Sequence, residues 1–262
     1  KKEVFSKNRP FPHIVLDGLF SKKLLKKIIL EMPNPRDKTS KKYSGKYGNK
    51  KIQTIGERNL QTNTLQFFHY LNSEPFLNFL ETISGIKNLL PDPSLTGGGF
   101  HQILKGGYLK IHADFIKHNK YNFYRRLNLL IYLNENWNQD WGGNLELWDH
   151  KMEKARQSII PNFNRMVLFN TTSNSYHGHP EPLKCPEDVS RKSIAIYYYT
   201  IEKPDKENLL NDGYHGTLYK ERRGKDNFKN KFSFYNTIAK IIGDKSFFRI
   251  TKKRAPYDNE VK

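Results

Sequence analysis

From Pro10 the chain runs "PFPHIVLDGLF", an apolar stretch that reads as a short strand closed by a turn at Asp17 and Gly18. Leu24, Leu25, Ile28, Ile29 and Met32 then recur at helical spacing, and Ser21 stands where an N-cap belongs. "SEPFLNFLETISG" has the same form, with Ser73 as cap, Pro75 in the first turn, apolar Phe76, Leu77, Phe79, Leu80 and Ile83, and Gly85 as terminator. Each helix has one apolar face, so each must lie against something else. From Gly97 the period changes to short apolar or alternating runs broken by Gly, Asn, Asp and Pro: "GFHQIL", "YLKIHADF", "RLNLLIYLN", "NLELWD", "QSIIPN", "RMVLFN", "HGHPEPL" and "KSIAIYYYT". Strands at such spacing predict an antiparallel sandwich or barrel of jelly-roll type, mostly β with flanking α. The chain divides into 1–96, a strand and helices supporting the barrel within the same domain, 97–202, the β core, and 203–262, a basic extension with one predicted helix around "FSFYNTIAKIIG" and an aromatic patch at Phe247 and Phe248.

The 262 residues are 36% hydrophobic and 13% aromatic, enough to bury a core. No run approaches the ~18 apolar residues that span a bilayer. "KKEVFSKNRPFPH" lacks the apolar stretch of a secretory signal, although a chain beginning without Met leaves room for a removed leader. The single cysteine, Cys185, excludes an internal disulfide and has no constellation around it that would make it a nucleophile. These features predict a soluble, cytoplasmic protein with no membrane partner; no pattern sets its oligomeric state. The formal charge of +19 favours anionic partners. Most of the excess is scattered lysine, concentrated only in residues 35–51 and in the tail from Lys203. The first of these segments, "PRDKTSKKYSGKYGNKK", has no apolar period and reads as an exposed, mobile loop within reach of a substrate.

The candidate chemistry lies in the β region. His112 and Asp114 are two apart, so on an extended strand both side chains point to one face and can occupy adjacent positions of one metal ion. A third ligand must come from elsewhere, and His177 and His179 in "SYHGHPEPL" are the distant candidates. Two imidazoles and a carboxylate on one side of an ion form the facial triad of non-haem Fe(II) sites. H-x-D alone is a weak signal, since an exposed strand-end pair has the same spelling.

The surrounding order adds to it. "GGYLKIHADF", "RRLNLLIYLNENW", "WGGNLELWD", "RMVLFN", a histidine before proline and "RKSIAIYYYT" follow one another from Gly106 to Thr200. In this the sequence resembles the Fe(II)- and 2-oxoglutarate-dependent dioxygenases, and within them the prolyl 4-hydroxylase-like group. The resemblance implies a double-stranded β-helix (jelly-roll, cupin-like) core with the N-terminal helices packed on one sheet. It implies Fe(II) at His112, Asp114 and His177, with His179 on the same strand face as the alternative ligand or as a residue near the substrate. It implies 2-oxoglutarate as cosubstrate with O2, ascorbate as a possible accessory reductant, and Arg191 gripping the far carboxylate. Ser193 shares the face of Arg191 and would donate a second hydrogen bond to the same carboxylate, while Lys192 points outward. Tyr132 would bond the same carboxylate. Asn128, on its side of the sheet, falls near the metal end as a substrate contact; Arg125 or Arg126 would meet the substrate at the mouth, and Trp148 and Trp141 would either line the groove or pack the sandwich. His118 and His101 read as structural or exposed.

The implied reaction is hydroxylation of an unactivated C–H bond, with peptidyl proline the first substrate and a free amino acid, glycan or nucleobase the alternative. A barrel that has lost catalysis and binds polyanions through its basic surfaces is the reading from another class. Two departures from the closer prolyl hydroxylases bear on the substrate: Leu109 where tyrosine is frequent, and Arg191 where some of them use lysine.

Overall fold

The computed structural model describes residues 2–34, 41–54, 56–58, 60–92, 94–118, 120–205, 209–210 and 213–228. Helix α1 (Lys2–Lys7) precedes strand β1 (His13–Asp17) and helix α2 (Lys22–Leu30), whose Ser21 cap accepts from the Leu24 amide at 3.4 Å. Strands β2 (Lys41–Tyr43) and β3 (Gly48–Gln53) follow, then helices α3 (Thr62–Leu71) and α4 (Glu74–Ser84), the latter ended by Gly85 in the left-handed region at φ 77°. Helix α3 has no marked terminal residue of its own. The carboxylate of Glu31, just past α2, accepts from the amides of Asn63 and Thr64 and so serves as its N-terminal cap.

Strand β4 (Leu90–Pro91) leads to the long β5 (Gly99–Ala113), and then come β6 (Tyr124–Tyr132), β7 (Leu145–Trp148), β8 (Ala155–Ile159), β9 (Arg165–Asn170), β10 (His177–His179), β11 (Ser190–Thr200) and β12 (Leu218–Tyr219). The strands form one curled antiparallel sheet in the order β1-β9-β6-β11-β5-β10-β7-β8, the topology of a double-stranded β-helix. Strand β5 belongs to both halves: residues 99–104 pair with β11, while Leu109 and His112 pair with β10. Between them the ladder to β3 is irregular, with Asn49 opposite Tyr108 but Lys51 opposite Ile103. Gly106 (φ 75°) and Gly107 occupy the break, and a Cβ at Gly107 would lie 2.8 Å from the Leu104 carbonyl. The break changes the side-chain parity, so His101 and His112 both face inward.

On the outer face Leu127, Leu129, Ile131, Met166, Leu168, Ile194 and Ile196 pack against Leu25, Ile28, Phe68, Leu71 and Leu80 of the helices. The N-terminal helices therefore cover one side of the sheet, as predicted. On the inner face Tyr132, Leu145, Leu147, Val167 and Phe169 form a smaller apolar cluster beside polar groups.

The basic segment 35–51 is corrected in part. Residues 35–40 lie outside the described residues, but 41–43 and 48–53 form a hairpin whose second strand pairs with β5. Lysines on the outward positions hid a period of two in which Ile52 is buried. The contact pattern divides the chain at Arg223, and only residues 224–228 of the second unit are described; the predicted tail helix and Phe247 and Phe248 lie outside them. Among the described residues no helix is long and apolar enough to cross a membrane.

Candidate metal centre

His112 and His177 are register partners on β5 and β10, which places their rings 4.5 Å apart. Asp114 follows the end of β5, with Oδ1 3.5 Å from His112 Nε2 and Oδ2 3.4 Å from His177 Nε2. The three potential ligand atoms lie within 4.8 Å of one another. His112 Nδ1 donates to the Lys110 carbonyl at 2.8 Å and His177 Nδ1 to the Ser175 carbonyl at 2.9 Å, so with neutral rings both Nε2 atoms present lone pairs. Burial, reinforced by His177, lowers the His112 pKa and favours that neutral form.

Burial also acts to raise the Asp114 pKa. The Arg125 guanidinium is the largest opposing influence, and the carboxyl is held well below the usual range. Three acceptors thus converge with no donor among them, an arrangement that a cation would stabilise. Two imidazoles and one carboxylate leaving open positions suit Fe(II).

The Asp114 carboxylate is held by two residues of β6. Asn128 Nδ2 donates to Oδ2 at 2.7 Å and Arg125 Nη2 at 3.0 Å, while Arg125 Nε donates to Asn128 Oδ1 at 2.6 Å. Arg125 is buried and its guanidinium lies 3.3 Å from the Tyr197 ring centroid. Deeper in the barrel, buried Arg191 donates from Nη2 to Tyr132 Oη at 3.1 Å and from Nε to the Gly143 carbonyl at 2.6 Å. Gly143 has φ 74°, and a Cβ there would stand 3.0 Å from Arg191 Cδ, so glycine lets the backbone reach the guanidinium. Ser193 is buried across the ladder from both Tyr132 and His101.

The family model described as the 2OG-Fe(II) oxygenase superfamily matches residues 98–199, the stretch that supplies every one of these groups. Residues 98–199 belong to that superfamily. The chain is 37% identical over 79 residues to the mouse (Mus musculus) prolyl 3-hydroxylase OGFOD1, a match covering 29% of this chain and 14% of that protein. A Pseudomonas putida prolyl-4-hydroxylase superposes with a TM-score of 0.55 at 12% identity, covering 76% of this chain and 98% of that one. A Trichoplax adhaerens prolyl hydroxylase, in complex with a hypoxia inducible factor oxygen degradation domain peptide fragment, superposes with 0.51 at 16% identity, covering 71% and 83%. HygX from Streptomyces hygroscopicus, with nickel, 2-oxoglutarate and hygromycin B bound, gives 0.51 at 12% identity, covering 80% and 92%. At these identities the structural likeness concerns the fold.

Within this oxygenase domain the remaining predicted residues separate. His177, not His179, joins His112 and Asp114. Arg126 points away and donates to Thr200 Oγ1 at 3.1 Å; it is the extra residue of a bulge, since Tyr198 faces Leu127 while Tyr199 faces Arg125. Asn128, predicted near the metal end and as a substrate contact, is buried and occupied with Asp114, Arg125 and Thr171. Trp148 lies on the face opposite Leu147, the register partner of His177; it packs on Ile111, Ala113 and Tyr176 and donates to Glu146 Oε2 at 2.7 Å, so it packs the sandwich. His118 is buried, with Nδ1 accepting from the Lys120 and Tyr121 amides and Nε2 3.8 Å from Asp92, a structural pair. Cys185 is buried beside Ile103 and Leu183.

Lys51, read from the sequence as part of an exposed loop, lies on strand β3 instead. It lies in register with Ile103, itself in register with Arg191, and the charges that act on it are those of Asp114 and Arg125. The alternation Lys51–Gln53 beside buried Ile52 was the available signal.

Proposed function

We propose that the protein is an Fe(II)- and 2-oxoglutarate-dependent hydroxylase of the prolyl hydroxylase-like group, acting on a prolyl residue in a peptide, in the cytoplasm. The observation that carries this is the convergence of His112 Nε2, His177 Nε2 and the Asp114 carboxylate as three acceptors without a donor between them. These residues would hold the metal. Fe(II) with 2-oxoglutarate and O2 would supply the oxidation of a C–H bond, with release of succinate and carbon dioxide.

The chain's own groups do the positioning. Arg125 and Asn128 keep Asp114 ionised and aimed at the metal position, while the Lys110 and Ser175 carbonyls hold the two imidazoles in the ligating tautomer. Arg191, braced by Gly143, would take the far carboxylate of the cosubstrate in a forked pair with a further bond from Tyr132. Leu147, Val167 and Phe169 exclude water from the space between. Peptidyl proline as substrate is supported by the likeness to the mouse prolyl 3-hydroxylase over the 79 matched residues.

Anaerobic titration with Fe(II) and 2-oxoglutarate tests the cofactor assignment. A weak visible charge-transfer band is expected in the wild type, absent in His112→Ala and requiring far more cosubstrate in Arg191→Ala; a normal band in both variants refutes the site. Succinate release measured across proline peptides, sugars and oligonucleotides tests the substrate, and release on the last two alone would end the prolyl assignment.

A further inference from the structure

A guanidinium does not lose its proton inside a protein, so a buried arginine is a fixed positive charge wherever the chain places it. Arg125 is 1% exposed, and the bulge that sets Tyr199 opposite Arg125 and Tyr198 opposite Leu127 turns it into the barrel. Its amide donates to the Ile116 carbonyl at 2.7 Å, which ties it to the segment that follows Asp114. Its guanidinium lies over two rings, 3.3 Å from the Tyr197 centroid and 4.8 Å from that of Phe115. Tyr197 is pinned in turn, its hydroxyl donating to the Gly97 carbonyl at 2.9 Å.

Holding Asp114 in place does not by itself call for a charge. Asn128 Nδ2 already donates to Oδ2 at 2.7 Å, and Asn128 Oδ1 is fixed by the Thr171 hydroxyl at 3.1 Å. What Arg125 adds is the charge. An imidazole that binds a cation through Nε2 is neutral, so His112 and His177 bring none to the site and Asp114 brings one negative charge, which the Arg125 ion pair to Oδ2 at 3.0 Å cancels. The same charge-assisted bond draws electron density from the carboxylate and makes it a poorer donor to a cation. Both effects act on each unit of the ion's charge, so they weigh more on a trivalent ion than on a divalent one. At an effective dielectric constant of about 20, one unit of charge a few ångströms beyond the ligand oxygen changes the ratio of the two affinities about 100-fold.

We propose that Arg125 selects the charge of the ion, favouring the divalent over the trivalent state and so lessening the need for an outside one-electron reductant such as ascorbate. This rests on the metal-centre reading above. Arg125 is then neither a catalytic residue nor a substrate contact at the mouth; it acts on the ion through the Asp114 carboxylate.

The apoprotein is titrated in citrate-buffered solution with Mn(II) and with Ga(III), stand-ins for the divalent and trivalent states that do not turn over. The iron-loaded protein is then poised anaerobically with redox mediators to read its potential. Arg125→Gln keeps an amide that can donate to Asp114 and removes the charge. It is expected to raise the Ga(III) to Mn(II) affinity ratio about 100-fold and to lower the potential by about 120 mV, at about 59 mV per tenfold for one electron. Arg125→Lys keeps the charge without the fork, and is expected to hold the ratio within about threefold of wild type even where both affinities fall. Arg125→Met is read in place of Arg125→Gln if the latter does not fold. Both affinities lowered alike in Arg125→Gln, with ratio and potential unchanged, overturns the proposal: Arg125 would then only position Asp114, and the oxygenase reading would stand. A wild type that binds neither ion ends both.

Discussion

Strand β6 presents two unlike surfaces on alternate residues. Leu127, Leu129 and Ile131 are fully buried between sheet and helices, where any well-fitting apolar side chain satisfies the requirement. Asn128 and Tyr132, on the other side of the same backbone, hold Asp114 and Arg191 through single hydrogen bonds of defined direction. The helix-covered face stores stability in volume; the inner face spends it on keeping polar groups dry and aligned. Damage to the two should therefore appear in different measurements.

The largest effect belongs to the outer face. Leu129→Ala leaves a cavity under the helices and should cost about 2–5 kcal/mol in urea unfolding, while the folded fraction binds Mn(II) within twofold of wild type. A comparable loss of metal affinity would mean that the two faces are not separable. Asn128→Ala reverses the pattern: it removes one bond to Asp114 and unpins Arg125, and by analogy with supports of other ligands it should weaken metal binding about 10–100-fold, with a smaller change in unfolding midpoint.

The smallest effect is that of pH. Burial, as the largest cause, lowers the pKa values of His13, His101, His118 and His179, each placed among inner-face groups: Phe11, Ser193, Tyr199 and Arg191 respectively. An unfolded imidazole takes up a proton near pH 6.5, and these folded ones resist it, so the unfolded state binds more protons in acid. Stability is then full above about pH 6.5 and declines as pH falls below it. Urea midpoints of the metal-free protein should drop between pH 7 and 5, and the Leu129→Ala increment should stay constant over that range; an increment that varies with pH would couple the faces.

Most of the outer face was legible in the sequence because it obeys simple periods: helices α2 and α4, the Ser21 cap and the alternating strands follow from apolar spacing, whereas Ser73, predicted to cap α4, turns its hydroxyl to the Tyr70 carbonyl. Of the site, His112 and Asp114 were legible as a pair, and the order of motifs pointed to His177, Arg191 and Tyr132. What escaped depends on breaks in period. Arg126 shares parity with Asn128, yet the bulge opposite Tyr198 and Tyr199 brings Arg125 inward instead. Lys51 was concealed by lysine-rich surroundings that read as a loop, and His101 comes to face the same side as His112 only because the chain slips at Gly106 and Gly107. Helix α3 borrows its cap from Glu31, more than thirty positions upstream, so no local signal marked its start.

Tyr219 is the register partner of His112 on one edge of β5, and His177 is its partner on the other. The Tyr219 ring stacks on Tyr47 at 4.4 Å and lies 5.5 Å from the His112 imidazole. For a bound ion to escape, that imidazole must swing aside, yet its strand is clamped along both edges at that residue. The lifetime of an ion held there would thus be set partly by a short ladder donated from far downstream, with slow metal exchange owing as much to backbone pairing as to ligand chemistry.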